Sequence, residues 1–232
     1  MTRLPSFTRA AHAVIIGASG GIGAALADLL DADLQFAQVT RMARATGLDV
    51  TDPASITAAA SALQAPPDLV ICATGLLHAD GLSPERDLRM LSADAFARAF
   101  AVNATGPALV AQAFLPLLPK GRKTLFAALS ARVGSIGDNR LGGWHAYRAS
   151  KAALNQILRT MAIEQARKNP DSIVIGLHPG TVDTGLSKPF QRNVKTLFTP
   201  TQSAAHLLDV IETMTPTVSG RVFDWQGVEI MP

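Results

Sequence analysis

Cysteine is almost absent from this 232-residue chain, and its basic residues are scattered. The single cysteine, Cys72, excludes an internal disulfide and a cysteine-rich metal site. The five histidines lie far apart, with no pair spaced for one face of a helix, so no metal is expected. The formal net charge is only +3 and basic residues form no block, which argues against nucleic-acid binding.

A long apolar segment is also lacking at the N-terminus. The apolar run at 12–16 covers only a few residues and is stopped by Gly17. Such a run is too short for a signal peptide or a membrane span and is typical of a buried strand. We therefore expect a cytoplasmic protein with no membrane partner.

Strand-like and helix-like stretches alternate along the whole chain. Hydrophobic residues make up 48% and charged residues 17%, which predicts one folded domain over residues 1–232. The alternation predicts the α/β class, with a Rossmann-like, doubly wound parallel sheet and helices on both faces. The seven predicted strands cover 12–17, 34–39, 48–50, 68–73, 124–129, 173–177 and 221–224. The predicted helices cover 22–30, 53–63, 92–100, 104–118, 147–167 and 201–214.

Glycines cluster where the first predicted strand becomes the first predicted helix. Gly17, Gly21 and Gly23 form a Gly-x-x-x-Gly-x-Gly pattern, with Ser19 and Ile22 inside it. Free N–H groups at a helix N-terminus can bind a pyrophosphate, and glycine permits a tight turn and close approach. The segment therefore predicts a dinucleotide site, with a purely structural turn as the alternative.

The end of the second predicted strand favours NADP over NAD. An acid about 20 residues past the glycines would bind the ribose 2′-hydroxyl and repel a 2′-phosphate. Here the strand ends in Thr40 and Arg41, with Arg44 close behind and no acid before Asp49. Arg41 can pair with a phosphate, and an ordinary surface arginine is the alternative.

Tyr147 and Lys151 form the strongest catalytic signal. Their spacing places both on one face of the predicted helix 147–167, close enough to share a ligand. A phenol has a reference pKa of about 10, and a nearby ammonium and a positive nicotinamide ring favour the phenolate. The pair predicts acid–base catalysis, with a half-buried tyrosine beside a solvated lysine as the alternative.

These motifs together resemble the short-chain dehydrogenase/reductase family over essentially the whole chain. The resemblance is carried by the glycine pattern, the Tyr-x-x-x-Lys pair, Asn103 in Val-Asn-Ala-Thr-Gly, and the Pro-Gly-Thr-Val-Asp-Thr segment at 179–184. The segments Ser-Ala-Arg-Val-Gly-Ser-Ile at 130–136 and Gly-Arg-Val-Phe-Asp-Trp at 220–225 resemble its C-factor-like, carbonyl-reductase-like branch.

The resemblance implies roles for individual residues. Tyr147 would be the proton donor or acceptor, Lys151 would hold the nicotinamide ribose and tune the phenol, and Asn103 would hold a relay water. Further cofactor contacts are implied at Asp49, Val50, Ala73, Thr74, Gly75, Pro179, Gly180, Val182 and Thr184. Asp49 has an alternative as a turn acid before a helix. Segment 72–75, Cys-Ala-Thr-Gly, keeps only the glycine of the family's Asn-Asn-Ala-Gly, so its cofactor contacts would come from the backbone.

The catalytic serine has two candidates. The family places a serine at the end of the fifth strand, where it hydrogen-bonds the substrate oxygen. Ser130 is the first choice and Ser135 the substitute, because residues 137–144 resemble an insertion that lengthens the spacing to Tyr147. Either serine has the alternative of a strand-end cap.

The expected activity is reversible hydride transfer between NADP(H) and a small-molecule carbonyl or secondary alcohol. The predicted substrate pocket lies between Trp144 with His145 and a short substrate loop at 181–200. Basic residues 188, 192 and 195 in that loop either bind an anionic group or are solvated. The resemblance also implies a homodimer or homotetramer. The alternatives are a dinucleotide-binding sensor with vestigial catalysis and, more weakly, an epimerase or dehydratase.

Overall fold

A computed structural model describes residues 2–192 and 194–232. Its centre is a six-stranded parallel sheet. The strands are β1 (Ala11–Ile16), β2 (Phe36–Met42), β3 (Leu69–Cys72), β4 (Thr124–Leu129), β5 (Ser172–His178) and β8 (Val222–Asp224), and they lie in the order β2-β1-β3-β4-β5-β8. A separate short pair consists of β6 (Thr181–Val182) and β7 (Leu197–Phe198). The helices are α1 (Gly21–Asp31), α2 (Pro53–Ser61), α3 (Ala93–Phe100), α4 (Gly106–Phe114), α5 (His145–Lys168) and α6 (Pro200–Thr213).

Helices cover both faces of the sheet, which confirms the predicted doubly wound α/β architecture. Strands β1, β3 and β4 are buried at every residue, because a parallel sheet covered on both sides needs apolar side chains on both faces. Ile15 packs with α1 and α6 in one core, whereas its neighbours Val14 and Ile16 pack with α2, α4 and α5 in the other. The chain reverses its winding between β1 and β3, so their carboxyl ends border a crevice.

The predicted third strand at 48–50 is wrong, and this accounts for six strands in the sheet instead of seven. The chain there leaves β2 through a short 3₁₀ turn and is reversed at Gly47, whose φ is +92°. Leu48 and Val50 are buried as expected of strand residues, but Leu48 N–H bonds back to the Ala43 carbonyl at 3.0 Å. Their apolar character reflects burial under a loop and not sheet pairing.

The two helices predicted at 92–100 and 104–118 form one continuous helical stretch, Ala93–Leu117. A π-helical turn, Ala101–Thr105, joins α3 to α4 and contains Asn103. Such turns often mark functional positions. By length and composition alone this stretch could cross a bilayer, but Val110, Ala111 and Phe114 on it are fully buried in the protein core.

Candidate active site

A cleft follows the carboxyl ends of the central strands. One cavity, of about 400 Å³, extends from Arg44 and Asp49 to the segment after β3. It shares Ser19 and that segment with a cavity of about 420 Å³ at the glycine turn, which reaches Tyr147. This second cavity in turn shares Tyr147 and Ser130 with a third, of about 640 Å³. The cleft can therefore hold an extended ligand at one end and a second molecule at the other.

The glycine turn owes its composition mainly to its own packing. Gly17 has a φ of +88°, and a Cβ on Gly23 would lie 2.2 Å from the Gly17 carbonyl oxygen. A Cβ on Gly21 would lie 2.9 Å from the Thr184 methyl group. The cap residue of α1 is Gly20, and among the described residues no side chain caps this end and no acid lies in its first turn. The backbone N–H groups in the first turn of α1 are therefore available to an anionic pyrophosphate, which fits the predicted dinucleotide.

The structure places Arg41 away from the cleft. Its guanidinium forms ion pairs with Asp28 at 2.9 Å and with Asp31, both on α1. These hydrogen bonds raise the pKa of Arg41, Asp31 contributing most. Arg44 lines the cavity instead, beside Asp49, so it is the arginine that can reach a phosphate there. The sequence pattern favoured Arg41 as the phosphate partner because it comes at the end of the predicted second strand. In the structure β2 continues to Met42, and Arg41 within it pairs with α1.

Asp49 and Val50 line the same cavity as Arg44. The Asp49 carboxylate accepts from Thr51 N–H at 2.8 Å and from the Thr51 hydroxyl at 2.7 Å. These bonds, with a smaller contribution from the Arg44 charge, lower the pKa of Asp49. Asp49 thus stabilises the turn before α2, as the alternative interpretation expected, and it also lines the cleft.

Asn103 acts on the backbone beside the cleft and does not line the cavities described above. Its Oδ1 accepts from Leu76 N–H at 2.7 Å, and its Nδ2 donates to the Leu76 carbonyl at 2.8 Å. Nδ2 also donates to the Ser150 hydroxyl at 3.1 Å. Fully buried in the π-turn, Asn103 therefore fixes the strand-end segment that carries Ala73, Thr74 and Gly75 along the cleft wall.

Tyr147 and Lys151 face the cleft from adjacent turns of α5. The Lys151 ammonium lies 5.9 Å from the centroid of the Tyr147 ring and donates to the Leu129 carbonyl at 2.7 Å. Burial raises the pKa of Tyr147 to about 12 and lowers the pKa of Lys151 to about 8. The expected lowering of the phenol pKa is therefore not produced by these residues, because burial disfavours both charges.

The two candidate serines differ in position. Ser130 lines both cavities that meet at Tyr147, and its hydroxyl donates to Asn155 Oδ1 at 2.6 Å. Ser135 lines neither cavity, and its hydroxyl accepts from Asp138 N–H at 3.1 Å. Asn155 was missed in the sequence, although it lies one helical turn beyond Lys151 on the same face of α5.

The largest of these cavities has an aromatic wall. Trp144 packs edge-on against Phe190 at 5.1 Å between centroids and against Tyr147 at 6.2 Å. Trp144 has a φ of 53° and follows two glycines with positive φ, so the loop turns sharply before α5. His145 does not line the cavity, whereas Leu186 from the predicted substrate loop does.

Of the predicted site residues, all except Arg41 and Asn103 border the cleft. They are Gly17, Ser19, Gly21, Ile22, Gly23, Asp49, Val50, Ala73, Thr74, Gly75, Ser130, Tyr147, Lys151, Pro179, Gly180, Val182 and Thr184.

Residues 11–195 match the family model described as short chain dehydrogenase. The chain belongs to the short-chain dehydrogenase family. It is 42% identical over 135 residues to the C-signal of Myxococcus xanthus, covering 58% of this chain and 76% of that protein. It is 34% identical over 175 residues to 1-hydroxy-2-glutathionyl-2-methyl-3-butene dehydrogenase of Rhodococcus sp. (strain AD45), covering 75% and 74% respectively.

Solved structures share the fold of this short-chain dehydrogenase. The NADPH-bound carbonyl reductase from chicken fatty liver superposes with a TM-score of 0.82 at 23% identity, covering 98% of this chain and 96% of that one. The carbonyl reductase Sniffer of D. melanogaster gives a TM-score of 0.80 at 16% identity, covering 97% and 100%. These structures show the shared fold, and the family model together with the Rhodococcus relative confirms the family resemblance seen in the sequence.

Proposed function

We propose that this short-chain dehydrogenase is an NADP(H)-dependent oxidoreductase that reduces a carbonyl substrate or oxidises the corresponding secondary alcohol. The observation that carries the proposal is the meeting of two cavities at Tyr147 and Ser130. One cavity leads to uncapped helix N–H groups and glycines, and the other is large and mostly apolar. A dinucleotide and a separate small molecule can thus meet at a half-buried phenol.

The proposed cofactor contacts run along the cleft from the adenosine end to the nicotinamide end. Arg44 is placed to hold the 2′-phosphate, with Asp49 and Val50 beside the adenosine. The first turn of α1 would hold the pyrophosphate, and Pro179 with Thr184 would border the nicotinamide end. When bound, the cofactor supplies or accepts the hydride.

The chain's own residues manage the proton and the substrate oxygen. A pKa of about 12 keeps the Tyr147 phenol protonated at neutral pH, so it is an acid ready to donate to an alkoxide oxygen in the reduction direction. Ser130, held by Asn155, is placed to contact the same oxygen. The Lys151 ammonium lies 5.9 Å from the centroid of the Tyr147 ring, and its positive charge would favour the phenolate left after proton transfer, in opposition to the effect of burial.

Nicotinamide absorbance provides the test, with aldehydes, ketones and quinones offered alongside NADPH or NADH. We expect NADPH oxidation by the wild type and a loss of at least about 100-fold in kcat for Tyr147→Phe, since general acid catalysis contributes about 10²–10⁴-fold. Quenching of protein fluorescence by NADPH checks that the variant still binds the cofactor. Turnover that survives in Tyr147→Phe contradicts the assigned acid.

The likeness to the C-signal of Myxococcus xanthus favours one second candidate, a dinucleotide-binding sensor with vestigial catalysis. A sensor binds NADPH tightly without turning over any carbonyl, and its Tyr147→Phe variant keeps both binding and biological effect. The same titrations and rate measurements therefore separate the two functions.

A further inference from the structure

Three arginines line the large cavity next to Tyr147: Arg132, Arg140 and Arg148. Arg132 is neutralised, since it donates to Asp224 at 2.8 Å and to Asp138 at 3.3 Å. The other two have backbone partners only among the described residues. They are therefore positive groups facing the cavity without a carboxylate of their own.

Arg148 is the more enclosed of the two. Its Nε donates to the Gly143 carbonyl at 3.0 Å and its Nη1 to the Val133 carbonyl at 3.3 Å. Within the described residues, its Nη2 makes no hydrogen bond. Burial lowers the pKa of this guanidinium, the direction expected where a charge lacks a counterion. Its free N–H groups and uncompensated charge are suited to an anion.

Arg140 extends the positive surface to the cavity rim. It is exposed, and its Nη1 donates to the Gly137 carbonyl at 2.8 Å. By contrast, the three basic residues of the 181–200 loop are absent from the cavity lining. Of these, Lys188 faces Asp183 at 3.8 Å. Arg140 and Arg148 are therefore better placed than the basic residues of that loop to bind an anionic group in the cavity.

The rest of the cavity wall is mostly apolar, although Asp138, which pairs with Arg132, and His178 also line it. Trp144 and Phe190 form one wall, and Leu141 lies at the rim with 90% of its surface exposed. An exposed leucine and an arginine without a carboxylate partner can both contact a ligand with an apolar body and a charged end.

We infer that the carbonyl substrate carries a carboxylate, which Arg148 binds while the apolar body of the substrate lies against Trp144 and Phe190. This specificity rests on the proposed function, because the reacting carbonyl is placed at Tyr147. Since Tyr147 and Arg148 are consecutive on α5, one rigid element holds the reacting group and the charged group in a fixed relation.

A matched pair of ketones tests the inference: benzoylpropionate and its primary amide, each reduced with saturating NADPH. We expect wild-type kcat/KM to be at least about tenfold higher for the carboxylate, as for a charge-assisted hydrogen bond. Arg148→Gln keeps a donor for the backbone carbonyls but removes the charge, and should abolish most of this preference. Arg148→Lys keeps the charge and should retain part of it.

Arg159→Gln is the control, because Arg159 lies on the same helix and also donates to a backbone carbonyl, that of Ser219 at 3.4 Å. It should leave the carboxylate-to-amide ratio unchanged. If Arg148 only ties the loop to α5, Arg148→Gln lowers kcat/KM equally for both ketones, and the inference fails.

Inhibition of the wild-type protein gives a second measurement, which does not depend on whether a variant folds. Octanoate should compete with the amide ketone at least about tenfold more strongly than octanamide. Equal inhibition overturns the inference. If both ketones are reduced with the same kcat/KM, the inferred carboxylate specificity is refuted but the proposed function is not. If no carbonyl supports NADPH oxidation, the proposed function itself is refuted.

Discussion

Replacing Arg44 by glutamine, with Arg41→Gln as its matched partner, tests which arginine selects NADPH. Both residues follow the glycine turn, but only Arg44 lines the adenosine end of the cleft. Arg41 is bound to Asp28 at 2.9 Å and to Asp31, and it could hold a phosphate only after leaving both carboxylates. The two variants remove the same charge from positions three residues apart.

The magnitude follows from the kind of contact that each variant removes. A hydrogen bond to a charged group contributes about 1.5–3 kcal/mol, which corresponds to roughly 10–150-fold in affinity. We therefore expect Arg44→Gln to raise the Kd of NADPH by about 10–150-fold and that of NADH by less than about threefold. Arg41→Gln removes exposed ion pairs, each contributing about 0–1 kcal/mol to stability, and should change either Kd by less than about threefold.

Nicotinamide fluorescence titrations at constant ionic strength give all six dissociation constants, with the wild type measured in parallel. Constant salt matters because exposed charges are screened within about 10 Å at 0.1 M. A selective loss of NADPH affinity in Arg41→Gln would falsify the placement of the phosphate at Arg44. If Arg44→Gln raises the Kd of NADPH and the Kd of NADH by the same factor, the substitution affects the cleft in general and Arg44 does not select the phosphate.

Two further perturbations concern the reacting end of the cleft. Asn155→Ala removes the acceptor that holds the Ser130 hydroxyl at 2.6 Å, so kcat should fall by about fivefold, as for one hydrogen bond of about 1 kcal/mol, with KM nearly unchanged. Asn155→Asp keeps the acceptor and should restore kcat; an unchanged kcat in Asn155→Ala removes the positioning role. Lys151→Met should be more stable than the wild type at pH 7 by on the order of 2–4 kcal/mol, because burial lowers the pKa of Lys151 from 10.5 to about 8. Between these values the unfolded chain binds more protons than the folded one, so the wild type gains stability as pH rises and the difference should shrink from pH 8 to about 10.5. Urea unfolding of both proteins across this range measures it, and a constant difference contradicts the buried ammonium.

Short-range patterns predicted the fold well. Short runs of apolar residues identify β1, β3 and β4, because a strand buried on both faces requires that composition. The same reasoning failed at 48–50, where Leu48 and Val50 are buried under a loop. It also divided one helix in two at 101–103, where a π-turn joins α3 to α4.

The sequence by itself determined the α/β order, the strand–turn–helix at Gly17 and the shared helix face of Tyr147 and Lys151. Each depends on residues within about one or two turns of one another, so local geometry suffices. Only the tertiary structure decided that Arg44 and not Arg41 borders the cleft, and that Ser130 and not Ser135 meets Tyr147 there. Those outcomes depend on which groups other elements bring alongside, as when α1 presents carboxylates to one arginine and leaves the other facing the cleft.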